Sequence, residues 1–423
     1  MLQVSYIRQN KALVKERLAM KHFADLSLVD KIIETDEQLR KLKTETERLQ
    51  ASINAFSKEI GMLMAKSEKA LAEDRKKEVS RFKNELQELN IQLTEAERSQ
   101  HEYIVKLPNL PHISVPAGKT PDYNETVRSG GAIPDLPPEA LPHWELIRKY
   151  RLVDFETGSK LTGSGFPLYR SNGAKFQRAL ISYFLEYNIS AGYTEYLPPL
   201  LINESSAYGT GQLPDKEGQM YHIPVDGFYL IPTAEVPLTN IYRDEIVKES
   251  DLPIKMTGYT PCFRREAGSF GSDVRGLNRV HQFDKVEIVQ IVKPGKSYEV
   301  LEEMVNHVEQ LLKTLELPYR ILRLCGGDMS FASALTYDFE VFSAAQKKWL
   351  EVSSVSNFES FQTNRMKIRF RDEDNQIQLL HTLNGSSLAL PRIVASLLEN
   401  NQTPEGIVVP QILQKYFGTA VIH

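Results

Sequence analysis

The apolar positions of this chain follow two rhythms. Across residues 28–107 they recur at spacings of three and four. Leu39, Leu42, Leu49, Ile53, Phe56, Ile60 and Leu63 form one series, with Thr46 filling a slot. Val79, Phe82, Leu86, Leu89, Leu93, Ala96 and Tyr103 form a second, after a polar break at Ser67 and Glu68. Only Gly61 interrupts a stretch otherwise free of Pro and Gly. One apolar seam on each of two long helices predicts an antiparallel hairpin, its arms roughly 55–60 Å long at about 1.5 Å per residue.

Between 108 and 142 the rhythm stops. Pro108, Pro111, Pro116, Pro121, Pro134, Pro137, Pro138 and Pro142 break any helix or central strand. This segment reads as a partly extended connector. From His143 onward helices and strands alternate. Helices are expected in the WELIRKYRLVDF segment, over 172–188 with Phe176, Leu180, Ile181, Phe184 and Leu185 on one side, and over 297–315 with Met304, Val308 and Leu311 as a core stripe. Strands are expected at 319–324, at 336–342 and through WLEVSSVSNFESFQTNRM. The run LLHTLNGSSLALPRIVASLLENNQ reads as strand, turn, helix. The division is 1–107, 108–142 and 143–423, and the class is α+β: a mainly antiparallel sheet with flanking helices.

Residues 260–292, TPCFRREAGSFGSDVRGLNRVHQFDKVEIVQIV, organise that body. They read as strand, a loop with Gly268, Gly271 and Gly276, and an antiparallel return strand. Strand alternation puts Arg264 and Glu266 on one face, and Glu287 in phase with Lys285 and Phe283. Such charges are costly on an apolar face unless paired. A ligand with both a negative and a positive group would pair with them; so would Lys285 or Arg264 with Glu287.

Composition adds exclusions. No apolar run is long enough to span a bilayer, and no signal peptide is evident. Cys262 and Cys325 lack neighbouring ligands, so buried reduced thiols are expected, not a zinc site or a disulfide. Net charge is −4, so any nucleic-acid surface must be local. Arg75, Lys76, Lys77, Arg81 and Lys83 form one such cluster on the second arm. Pattern alone also fits a structural or oligomerising coiled coil.

The sequence FRREAGS…RGLNRVHQFDKVE resembles motif 2 of class II aminoacyl-tRNA synthetases, in the form seen in the seryl-tRNA synthetase family. GYTEYLPPLLINESSAYGTGQLP, with Pro199, resembles motif 1, which builds that family's dimer interface. FYLIPTAEVPLTNIY resembles its serine-binding segment, and LLHTLNGSSLALPRIVASLLENNQ resembles motif 3. The likeness covers nearly the whole chain and is weak in the connector. It implies a cytoplasmic, homodimeric ligase that activates L-serine with ATP and Mg²⁺. The seryl group then passes to serine tRNA, with selenocysteine tRNA a second candidate acceptor. In that family the N-terminal hairpin contacts the tRNA's long variable arm and elbow.

The resemblance also implies residue roles. Arg264 would touch the α-phosphate and the substrate carboxylate; a guanidinium can bridge both with two-pronged geometry. Arg264, Glu351 and Arg392 carry the catalytic positions. Thr233, Ala234 and Glu235 would hold the serine amino group, with Glu287 and Ser386 on the hydroxyl side. Arg265, Glu266, Val280, Glu351, Val352, Ser353, Ser354 and Arg392 join Arg264 around ATP, and Glu351 with Ser354 would hold Mg²⁺. Arg275 and Arg279 would assist the phosphates or the tRNA end, or are surface charges. Leu335 stands where many relatives have Lys, NGSS replaces NGSG or NGSA, FRRE replaces FRSE, and Pro391 precedes Arg392. None of these removes a contact residue. Two rivals remain: a stand-alone ligase loading a small amino acid onto a carrier protein, and a non-catalytic RNA-binding coiled-coil protein.

Overall fold

The computed structural model describes residues 1–215, 218–266 and 275–423. Gly268 and Gly271 lie outside the described residues. Internal contacts divide the chain into two compact units, 1–19 with 23–108, and 20–22 with 109–423.

The first unit holds α1 (Val4–Gln9), α2 (Lys11–Met20), α3 (Ser27–Ala65) and α4 (Lys69–Ile104). Helices α3 and α4 pack along their lengths, as the paired apolar series requires. Leu39, Leu49, Ile53, Val79 and Ala96 are buried in the seam, and Phe56 stacks on Phe82 at 5.8 Å. The basic cluster is largely engaged. Arg75 pairs with Glu59 across the hairpin and with Glu78 on its own helix. Lys76 pairs with Glu73, and Lys77 with Asp74.

The second unit is built on an eight-stranded sheet. In chain order its strands are β1 (Glu125–Gly130), β2 (Thr194–Glu195), β3 (Ile254–Phe263), β4 (Gln282–Val292), β5 (Tyr319–Arg323), β6 (Leu335–Ser343), β7 (Lys348–Glu359) and β8 (His381–Ala389). Their spatial order is β1-β5-β6-β7-β8-β4-β3-β2, with every pairing antiparallel except β2 with β3. The proline-rich segment therefore supplies the β1 edge strand, a position that tolerates nearby Pro.

The helices that matter for the site are α5 (His143–Lys149), α6 (Asn172–Ser190), α7 (Glu204–Thr210), α8 (Glu235–Asn240), α9 (Ser297–Thr314) and α10 (Leu390–Asn400). Phe176 and Phe184 of α6, Met304 and Val308 of α9, and Ile393 and Leu397 of α10 form one core with Val286, Ile288, Phe339, Val355 and Leu383 of the sheet. Each such side chain, fully buried, contributes about 1.5–3 kcal/mol. Strand alternation then decides what faces the other way. Val286 and Ile288 enter this core, while Val289 and Ile291 enter a second cluster with Ala234 and Met256. Lys285 and Glu287 share the phase of that second set.

Three local expectations are corrected. First, FQTNRM does not continue the strand: β7 ends at Glu359 and Phe361–Met366 is helical. NGSS makes no turn: β8 runs unbroken through it and passes directly into α10. Asn384, Gly385 and Ser386 are all paired with β4, so ladder bonds override the local turn preference. Also, β3 ends at Phe263, and Glu266 has φ +49°, so strand alternation does not set the relation of Arg264 to Glu266.

Candidate active site

A cleft of about 620 Å³ opens on the second unit. Its lining includes Thr233, Glu235, Arg264, Glu266, Val280, Glu351, Val352, Ser353, Ser354, Ser386 and Arg392. Three other expected residues are not on its wall. Ala234 is fully buried in the second apolar cluster. Arg265 turns away, its Nε donating to Met220 O at 3.1 Å and its guanidinium lying 4.8 Å from the Tyr221 ring. Glu287 is fully buried beneath the wall.

Glu287 lies under one end of the cleft. On β4 it stands opposite Gly258 of β3 and Ser386 of β8. Its Oε2 is 2.8 Å from Lys285 Nζ, and it accepts hydrogen bonds from Thr233 Oγ1 at 3.3 Å and Ser386 Oγ at 3.4 Å. Asn384 Nδ2 donates to Oε1 at 3.2 Å. The buried charge is thus paired within the protein, by Lys285 and not by Arg264. A buried carboxylate without such partners would cost several kcal/mol. Nearby, Glu235 opens α8. Burial, reinforced by the negative charge of Glu287, pushes its pKa up to about 7. Gln362 Nε2 donates to Glu235 Oε1 at 2.7 Å, while Gln362 Oε1 accepts from Thr382 Oγ1.

The cleft also carries the arginines and the acidic strand. Arg264 N–H continues the ladder one bond past β3, to His281 O at 2.9 Å. Its guanidinium stands 5.3 Å from the Phe283 ring, and its Nε donates to Pro232 O at 3.3 Å. Arg392, in the first turn of α10 after Pro391, donates from Nε to Asn278 O at 2.9 Å. Its Nη1 donates to Glu351 O at 2.7 Å and lies 3.6 Å from Glu351 Oε2. Glu266 pairs with Arg279, and Arg275 lies against Trp144 at 4.8 Å. Ser354 sits opposite Asp338 in the β6–β7 ladder.

Sequence reasoning missed Asp338, Gln362 and Asn384 as site residues, and named Lys285 only as an alternative partner for Glu287. Asp338 also lines the cleft. Burial first, then the charge of Glu351, holds its carboxyl well above the usual range, and its Oδ1 has no hydrogen-bond partner. The available signal was the phase of TYDFEV, which puts Asp338 and Glu340 on the side of Thr336, though of the two only Asp338 lines the cleft. Gln362 offered no signal, because its role depends on contacts to Glu235 127 residues away.

Residues 1–111 match the seryl-tRNA synthetase N-terminal domain, and residues 222–401 match the tRNA synthetase class II core domain (G, H, P, S and T). The serine--tRNA ligase of Salinibacter ruber is 50% identical across 100% of this chain and 99% of its own. The chain belongs to the seryl-tRNA synthetase family. The seryl-tRNA synthetase of Pyrococcus horikoshii, solved with ATP, superposes at a TM-score of 0.89 with 33% identity, covering 100% of this chain and 99% of that one. The cytoplasmic serine-tRNA ligase of Naegleria fowleri, solved with AMP, gives 0.88 at 27% identity, covering 100% and 98%. Among the described residues, no helix is long and apolar enough to cross a membrane. Cys262 and Cys325 are buried and form no disulfide.

Proposed function

We propose that the cleft joins serine to ATP and then passes the seryl group to serine tRNA, as the names of the full-length relatives indicate. The serine carboxylate attacks the α-phosphorus and pyrophosphate departs; a terminal ribose hydroxyl of the tRNA then attacks the activated carbonyl, the bond from that carbonyl to the phosphate breaks, and AMP departs. Neither step requires a protein nucleophile. Alignment and neutralisation of oxygens in flight carry the rate.

The observation that carries this reading is the grouping of residues in the cleft. Glu235, Thr233 and Ser386 group around the buried Glu287, and Arg264, bonded to Pro232 O and within the field of Glu235, adjoins them; Arg392 and Glu351 form a second pair on the same wall. In this reading Glu235 takes the serine ammonium, and Ser386 over Glu287 reads its hydroxyl. Arg264 spans the substrate carboxylate and the α-phosphate, and Arg392 faces the outer phosphates. ATP is the nucleotide, in keeping with the ATP and AMP held by the structural relatives. Arg265 and Ala234 act through position only, one bracing the 219–221 segment and the other packing beneath α8.

Mg²⁺ fits the residues present. Asp338, with its unpartnered Oδ1, lies in the field of Glu351 and opposite Ser354, an arrangement that a cation would relieve. Among the described residues no three acidic, His or Cys side chains form a ready-made cage. Mg²⁺ commonly uses one or two carboxylates with water and phosphate oxygens. When bound, it would neutralise phosphate charge. Glu351, Ser354 and Asp338 are the residues that would hold it.

We also assign a homodimer and a cytoplasmic setting. Leu197 and Leu201, in the motif 1 segment beside the β2 edge, are 85% and 43% exposed, which suits a face covered by a second copy. Light scattering at the mass of one chain would refute the dimer. Pyrophosphate exchange tests the central claim. Exchange should depend on serine and proceed without tRNA; equal exchange with alanine or threonine overturns the serine assignment. A selenocysteine tRNA should be charged only if it presents the same arm to the hairpin.

A further inference from the structure

We propose that His143 is a positioning residue for the nucleotide end: clamped by Glu399, its imidazole fixes the 275–278 segment on which Arg392 rests. This depends on Arg392 being a nucleotide-binding cation.

Helix α5 and the last turn of α10 meet around one buried pair. His143 Nδ1 and the His143 backbone N–H each approach Glu399 Oε1 at 2.8 Å, and both side chains are fully buried. The other ring nitrogen, Nε2, accepts the backbone N–H of Leu277 at 2.9 Å. A nitrogen that accepts an amide proton carries none of its own. The hydrogen bonds therefore select the neutral ring with its proton on Nδ1, facing the carboxylate. Gln346 makes a second link, donating to Glu399 Oε1 at 2.7 Å and accepting from Asn278 Nδ2 at 2.9 Å.

The segment held this way is the one Arg392 uses. Asn278 O takes the Arg392 Nε bond, one residue beyond the amide that His143 captures. Arg392 and Glu399 are seven residues apart on α10, about two turns, so they share one stripe of the helix. The contacts close a loop from α10 through Arg392, Asn278, Leu277, His143 and Glu399 back to α10. Gly276 makes the close approach possible. Its φ is +67°, and a Cβ there would stand 2.4 Å from His143 Nε2. The residues after His143 extend the platform, Trp144 under the Arg275 guanidinium and Glu145 3.5 Å from it.

The test separates the acceptor from mere packing. His143→Asn keeps a donor toward Glu399 and removes the acceptor for Leu277 N–H; His143→Gln can place its amide oxygen near the lost Nε2. In serine-dependent pyrophosphate exchange, His143→Asn should lower kcat by about 10- to 100-fold, with the KM for serine unchanged, because small displacements of an aligning group cost rates of that order. His143→Gln should recover to within a few-fold of the parent. Equal losses in both variants, or a loss that merely tracks a fall in the thermal midpoint, would overturn the proposal. Should His143→Asn fail to fold, Gln346→Ala removes the second link, and an unchanged kcat there would count against it equally. Arg392→Lys keeps the two failures apart. If Arg392→Lys leaves exchange intact, the reading of Arg392 falls. If it impairs exchange while His143→Asn does not, only the role of His143 falls.

Discussion

In the hairpin arm Lys76 and Lys77 lie at the surface, each paired with an acid three residues before it on the same helix. In the cleft Lys285 and Glu287 sit 2.8 Å apart with almost no solvent contact, and Thr233, Asn384 and Ser386 complete the carboxylate's bonds. Exposed pairs of the first kind contribute about 0–1 kcal/mol and can be exchanged for phosphates at little cost. Breaking a pair of the second kind leaves a buried charge and costs about 3–5 kcal/mol. If the arm takes the tRNA, as proposed, it would do so by trading many weak partners. The cleft instead presents a fixed arrangement to a small ligand. Single changes should be mild in the arm and severe in the cleft.

The largest effect that separates the two regions comes from removing the arm altogether. Deletion of residues 28–107 should leave serine-dependent pyrophosphate exchange within a few-fold of the parent. Charging of serine tRNA should fall by about a thousand-fold or more, the scale lost with several phosphate contacts. Both activities are measured on one preparation. Normal charging after the deletion would remove the role given to the arm, and loss of exchange would show that the cleft depends on it.

The same contrast explains what the sequence made legible. The arm's seam depends on a period repeated within each helix, so Leu39, Leu49, Ile53 and Val79 could be placed from spacing alone. Arg264, Glu351 and Arg392 were reached through motif resemblance, and their convergence on one cleft is a tertiary fact. Alternation correctly put Lys285 beside Glu287 because β4 keeps an unbroken register with β3 through that stretch. It failed for Glu266, where the chain leaves β3 and enters a left-handed conformation. It also gave no role to Asp338, whose high proton affinity arises from burial and from Glu351 on the neighbouring strand. His143 and Glu399 are 256 residues apart, and no local pattern links them. Residues whose function depends on a distant partner were the ones overlooked.

A smaller, graded effect tests the cleft's buried charge. Glu235 ordinarily titrates near 4.5 and is pushed up to about 7 in the folded protein. Between those values the ligand-free protein holds a proton that the unfolded chain does not. This group's stabilising contribution is full below about 4.5 and is lost as pH rises through about 7. Serine binding has the opposite dependence, because an ammonium ion needs the carboxylate form. The KM for serine should thus rise roughly tenfold per pH unit as pH falls below about 7, and level off above it. Glu235→Gln should raise KM at pH 8 and abolish the slope. A slope that survives the substitution would assign the proton elsewhere. No charge in the arm should produce such a dependence, since none of its pairs is buried from water in this way.

The smallest effect returns to the arm's interior. Thr46 occupies a seam position, and its buried Oγ1 has no hydrogen-bond partner. Valine has nearly the same shape and a similar helix propensity, so Thr46→Val removes the orphan hydroxyl without reshaping the seam. An unsatisfied buried hydroxyl costs about 1–3 kcal/mol, and part of that should be recovered, about 1 kcal/mol of arm stability in denaturant unfolding. Exchange and charging should not change. In the cleft the corresponding substitution has the opposite sign. Ser386→Ala would also delete a buried hydroxyl, but one that donates to Glu287, so it should destabilise the carboxylate's surroundings and raise the KM for serine. If Thr46→Val lowers stability, the seam tolerates a polar group because something hydrates it, and the arm is held together by more than its apolar stripe.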